Sequence, residues 1–178
     1  MKLKILSLIV FFACSACGDD DLCKGSDFET SQGICVFTNG FDISKDQLSY
    51  AIDVTEDVVS ARYPKKYAKS KLNDSYDSVS ISFVGDLGDE KDGYTQFEYG
   101  PFVEETYKVV SEYKEHCWHY IWIIPHEMLH VYLLDIADDQ THKKGWHWHG
   151  DFTDEENASS IQYEVYRRLS CDICGSCQ

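Results

Sequence analysis

Apolar and polar residues alternate along this chain in a short series of blocks, and their spacing names the elements. Ile34, Cys35, Val36 and Phe37 form an apolar run closed by the turn pair Asn39-Gly40, which predicts a short strand. Ser44 and Gln47 have capping-box spacing, and Leu48, Ala51, Ile52, Val58 and Val59 then share one helical face. That helix runs to about Arg62 and stops before Pro64. Thr55 interrupts the stripe, which a hydroxyl bonded to the preceding turn would excuse. Residues 79–84 alternate apolar and serine, the mark of a half-buried strand. A turn over 85–89 leads to a second strand over 94–99. The stretch 102–117 fits either a helical stripe or a strand; its β-branched and aromatic content favours a strand over 106–110 and an irregular link after it.

The next block, Ile123 to Leu134, carries chemistry as well as a face. Ile124, Leu129, Leu133 and Leu134 give a helix an apolar side, and Pro125 is tolerated in a first turn. Residues four apart on a helix lie one above the other, so His126 and His130 aim two imidazoles at one point, with Glu127 beside it. Two imidazoles and a carboxylate so placed suit a zinc-dependent hydrolase. The His-Glu-x-x-His pattern resembles the signature of the zincin metallopeptidases. The helix should end near Ile136, where Asp135, Asp138 and Asp139 meet the negative end of its dipole; this cluster reads as a solvated acidic loop rather than a calcium site.

A catalytic zinc takes three protein ligands plus water. The metzincin pattern asks for a glycine and a histidine where this chain has Leu133 and Ile136, so that branch is excluded. Glu155, Glu156 or Glu164 would suit a ligand from a later helix. The histidines of the loop 141–152, namely His142, His147 and His149, are the better candidates, with Trp146 and Trp148 able to wall the site. The run from His126 to Leu133, followed by His149-Gly150, is similar to the SprT-like branch of zincins and to related lipoprotein peptidases. The resemblance implies zinc on His126, His130 and His149, with Glu127 as general base. His147, two residues away and on the same side of an extended chain, is the alternative third ligand, and His142 comes next. After this loop, Thr153 and Glu156 form a second capping box for a helix burying Ala158, Ile161, Val165 and Leu169. Tyr163 and Tyr166 on that helix are packing residues that can also point a phenol at the site.

The ends and the charge set the compartment. A basic Met1-Lys2-Leu3-Lys4, an apolar run from Ile5 to Ala13, and Ser15-Ala16-Cys17 read as a signal peptide over 1–16. The segment resembles a bacterial lipoprotein signal, which implies lipid on Cys17 and a tether over 17–33 without a fold of its own. Losing residues 1–16 removes Lys2 and Lys4 and no acid, so 14 basic residues face 31 acidic ones and the net charge goes from −15 to −17. So acidic a surface repels polyanions, which excludes a nucleic-acid partner. Beyond Cys14 and Cys17, six cysteines remain, an even number that suits up to three disulfides in an oxidising compartment. Cys23 would pair with Cys35, and Cys117 with one of Cys171, Cys174 and Cys177; metal binding by those last three is the weaker reading.

Together these features predict an α+β fold: a small zincin-like domain over 34–178 with a short mixed sheet, an N-terminal packing helix, an active-site helix and a C-terminal helix. The expected function is a monomeric zinc peptidase of the bacterial cell envelope, acting on peptide or protein substrates and held to the membrane by its lipid. The alternative is an exported zinc-binding lipoprotein with a binding or structural role and no catalysis.

Overall fold

In a computed structural model, the structure describes residues 22–88, 92–100, 103–114, 117–137, 145–147 and 159–175. The signal and lipidation segment, the second capping box, and His142, Trp148 and His149 lie outside these residues. A five-stranded mixed sheet forms the base, in the order β1 (Phe28–Glu29), β2 (Cys35–Phe37), β3 (Val79–Val84), β5 (Val103–Glu112) and β4 (Gly93–Gly100). Strands β2, β3 and β5 run parallel, and the two outer strands are antiparallel to their neighbours. Four α-helices accompany it among the described residues: α1 (Lys45–Arg62), α2 (Lys69–Asp74), α3 (Ile124–Ala137) and α4 (Ile161–Asp172). The fold class is α+β, as the hydrophobic pattern predicted.

Helix α1 matches its expected bounds, although only half of the capping box forms, because the Ser44 N–H donates to the Tyr120 hydroxyl at 2.6 Å. Ser44 caps it by accepting the Gln47 N–H, and the Thr55 hydroxyl donates to the Ala51 carbonyl at 2.7 Å. Its apolar stripe, Leu48, Ile52 and Val59 included, is fully buried against the sheet and helices. Burial of each such side chain stabilises the fold by about 1.5–3 kcal/mol. Strand β3 is more enclosed than expected. Its serines are nearly as covered as its apolar residues, because it is central and has parallel neighbours on both sides. The ambiguous stretch after it resolves as one long strand, β5, which returns between β3 and the outer β4.

Two expectations need correction. The segment up to Gly33 was expected to lack a fold, yet β1 lies within it, pairing Phe28 with Val36 and Glu29 with Cys35. Asp27 also accepts from both the amide and the hydroxyl of Thr38, and the folded domain therefore includes residues well before Ile34. The link before the histidine helix is regular in its last part. Residues His119–Ile123 form a π-helical turn that runs straight into α3. Pro125 lacks an N–H and its ring crowds the preceding turn; a wider turn just ahead of it relieves that conflict.

The disulfides are Cys23–Cys35 and Cys117–Cys174. Cys171 is also disulfide-bonded. With Cys171 and Cys174 so engaged, the reading of the C-terminal cysteines as a metal site falls away. No helix of the described residues is long and apolar enough to cross a membrane.

Candidate metal centre

Helix α3 is held on both sides, and this is what aims its histidines. Met128, Leu129, Val131 and Leu133 are fully buried on the core side. Behind them the Tyr132 hydroxyl meets that of Tyr76 at 2.8 Å, and Tyr76 donates to Glu56 at 3.1 Å. Burial raises the pKa of the Glu56 carboxyl, with the Tyr76 hydrogen bond opposing it. At the far end of the helix Asp135 accepts from the Ser75 and Tyr107 hydroxyls, so it serves as an anchor and not as part of a loose acidic loop. Asp138 and Asp139 lie outside the described residues.

On the opposite side His126 and His130, both half-buried, stand one turn apart with ring centroids 5.0 Å from each other. His147 joins them, 4.8 Å from His126 and 4.3 Å from His130 between centroids, and is 1% exposed. One nitrogen from each of the three lies within 4.8 Å of the other two. They form a group that can hold a metal ion. His147, given as the alternative third ligand, is thus brought to the pair; His149 lies outside the described residues.

The placement of His147 has a local cause. Gly145 adopts φ +80°, a conformation that suits glycine, and the turn it starts is tied by its backbone to α4. Ile161 N–H donates to the Gly145 carbonyl at 3.0 Å and Gln162 N–H to that of Trp146 at 2.9 Å. Trp146 is 2% exposed, stacked on Tyr63 at 5.4 Å and edge-on to Tyr67 at 4.8 Å. An anchored indole therefore precedes the histidine directly. Trp146 is a structural wedge beside the site, which narrows the expectation that it walls it.

Glu127, next to His126 on the helix, meets the outer strand β4. Its side chain accepts from the Thr95 hydroxyl at 2.8 Å, and the same hydroxyl lies 3.1 Å from its backbone carbonyl. It is 4% exposed, and burial pushes its pKa up to about 7, with the Thr95 bond pulling it back down. Gly93, two residues earlier on the same face of β4, lets strand and helix approach. A Cβ there would stand 2.6 Å from Ile123 Cγ2, 3.0 Å from the Val110 carbonyl oxygen and 3.2 Å from Glu127 Oε1.

The other candidates have different work. Glu164 accepts from Arg62 at 2.9 Å and Arg168 at 2.6 Å, so its carboxylate is committed to arginine. Tyr166 packs edge-on to Trp118 and Trp122 and serves as packing. Tyr163 lies beside Arg62 and Arg167 in a surface hollow. Glu155 and Glu156 lie outside the described residues. Three residues of the site escaped the sequence reading: Gly93, Thr95 and Gln162, whose Oε1 is 3.1 Å from His126 Nδ1. Gln162 had a signal, since it falls on the buried stripe with Val165 and Leu169, where a polar residue calls for a partner.

No family model matches the chain, and neither the curated proteins nor the solved structures yield a match. The functional reading therefore stands on the residues themselves.

Proposed function

We propose that this chain is a zinc-dependent peptidase of the zincin type, with zinc on His126, His130 and His147 and Glu127 as general base. The observation that carries the reading is the meeting of three imidazoles, two from one helix and one from a separate turn, within 4.8 Å. The donor set suits the ion: imidazole nitrogens without thiolates match a catalytic zinc that keeps an open position, and two of the three rings are half-buried. When bound, zinc lowers the pKa of its water to about 7 and polarises the scissile carbonyl. Glu127 takes the proton of the attacking water and passes it to the leaving amine. The Thr95 hydroxyl holds that carboxylate in one orientation, and α3, anchored on its rear side, holds the histidines.

Peptide is the substrate class that suits the sheet. Strand β4 ends the sheet among the described residues, and its outer side offers backbone donors and acceptors to an extended chain. The disulfides fit an oxidising, exported compartment, in keeping with an N-terminal lipid on Cys17. One observation favours the second reading, a zinc-binding envelope protein without catalysis: Glu127 is almost enclosed and already bonded to Thr95.

Glu127→Gln separates the two. The peptidase reading expects stoichiometric zinc to be retained and hydrolysis of an unfolded protein substrate to fall by about 10²–10⁴-fold, the usual contribution of a general base. Wild-type hydrolysis that the substitution leaves intact would rule Glu127 out as the base, and a zinc-loaded wild type inert on every peptide offered would favour the second reading.

A further inference from the structure

Helix α4 begins at a crowded point. Its first backbone N–H groups have no partners within the helix. Ser160 caps one by accepting the Tyr163 N–H at 3.2 Å, and those of Ile161 and Gln162 go to the turn that ends in His147. The same first turn buries the Gln162 side chain to 1% exposure, and an amide in such a place is costly unless it is hydrogen-bonded. Its Oε1 faces His126 Nδ1 at 3.1 Å. Further along, Tyr166 meets Trp122 at 5.7 Å, and Cys174, just past α4, is bonded to Cys117, ahead of the π-helical turn, so α4 runs antiparallel to the histidine helix and the segment leading into it.

We propose that Gln162 is a positioning residue for the metal centre, and that its Oε1 fixes which nitrogen of His126 faces the ion. An amide oxygen only accepts, so His126 Nδ1 carries the hydrogen and donates it. In a neutral imidazole the lone pair is then on Nε2. That bond also sets the plane of the ring. Because the backbone of the same residue holds the His147 turn, one turn of α4 sets the tautomer of the first ligand and the position of the third. Outer partners of this kind typically change metal affinity by about 10–100-fold when removed.

The inference rests on the zinc reading, and the test keeps the two apart. Zinc affinity of the full chain is measured by competition with a chromophoric chelator, and coordination is followed by the visible absorption of the cobalt-substituted protein. The melting midpoint in excess chelator reports the fold. Gln162→Leu, which keeps the bulk and loses the acceptor, should bind zinc about 10–100-fold more weakly and alter the cobalt spectrum while the midpoint in chelator stays close to wild type. Gln162→Glu, which keeps only acceptors, should bind at least as tightly as wild type. A residue that merely packs would give the reverse order, because a buried carboxylate is worse filler than leucine. Should the leucine variant not fold, the unbranched Gln162→Met takes its place with the same expected loss. Leucine binding equal to wild type, or glutamate binding as weak as leucine, overturns the role of Gln162 alone; a wild type that binds no zinc overturns the metal site and this inference with it.

Discussion

Gly93→Ala adds one methyl group where β4 crosses the start of the histidine helix, and the geometry sets what it does. The new carbon would sit 2.6 Å from Ile123 Cγ2, closer than carbon atoms tolerate, and 3.0 Å from the Val110 carbonyl oxygen, a tight contact. That oxygen belongs to β5, and Ile123 is 2% exposed, so neither neighbour has room to retreat. Strand and helix must part. Overpacking of this kind typically costs about 1–3 kcal/mol, which in a domain of this size lowers the melting midpoint by roughly 2–12 °C. The separation also pulls on Glu127, whose Oε1 would be 3.2 Å from the added carbon and whose other oxygen is bonded to Thr95 on the same strand. A shift of about 1 Å in a catalytic group can lower turnover about 10²-fold. The assay pairs a thermal melt with hydrolysis of a fluorogenic peptide at equal zinc loading. A variant that melts and turns over like wild type would refute the argument that β4 and the helix are packed to contact around Glu127.

Other substitutions probe the frame around the site. Replacing Cys117 and Cys174 together by alanine releases a bridge between residues 57 apart, a chain-entropy loss of about 4 kcal/mol; denaturant unfolding should show a stability drop of that order, and a drop under about 1 kcal/mol would mean that packing alone holds α4. Glu56 has its pKa raised above the ordinary 4.5, so the fold holds its proton more tightly than the unfolded chain does. Its contribution is therefore fully present below about pH 4.5 and is lost as pH rises through the folded-state value. Glu56→Gln should flatten that decline and be the more stable form at pH 8, as read by denaturant unfolding at pH 4 and pH 8; a difference between the two proteins that ignores pH would contradict the raised pKa.

Much of the fold was legible because local chemistry and global packing agreed. Ser44, the apolar stripe that follows it and Pro64 bound α1 through local chemistry alone. Alternation marked β3, and the His126–His130 spacing marked one face of a helix. What was not legible depended on contacts far apart in sequence. The π-helical turn ahead of Pro125 has no pattern of its own, since its residues read equally as link or helix. His147 and His149 share a side of any extended chain, so spacing left both open; the backbone bonds from Ile161 and Gln162 bring His147 in, and nothing in the loop itself announces them. Phe28 and Glu29 looked like tether because a two-residue strand is too short to show a period. Thr95 and Gly93 sit in an ordinary alternating strand, and only the crossing helix gives them meaning.

The most direct measurement is the zinc content of the purified chain, by elemental analysis and chelator competition, for wild type, His147→Ala and His149→Ala. A centre built on His126, His130 and His147 predicts one zinc per wild-type chain, retained by His149→Ala and lost or greatly weakened in His147→Ala. Zinc held equally well by His147→Ala, with loss in His149→Ala instead, would contradict it.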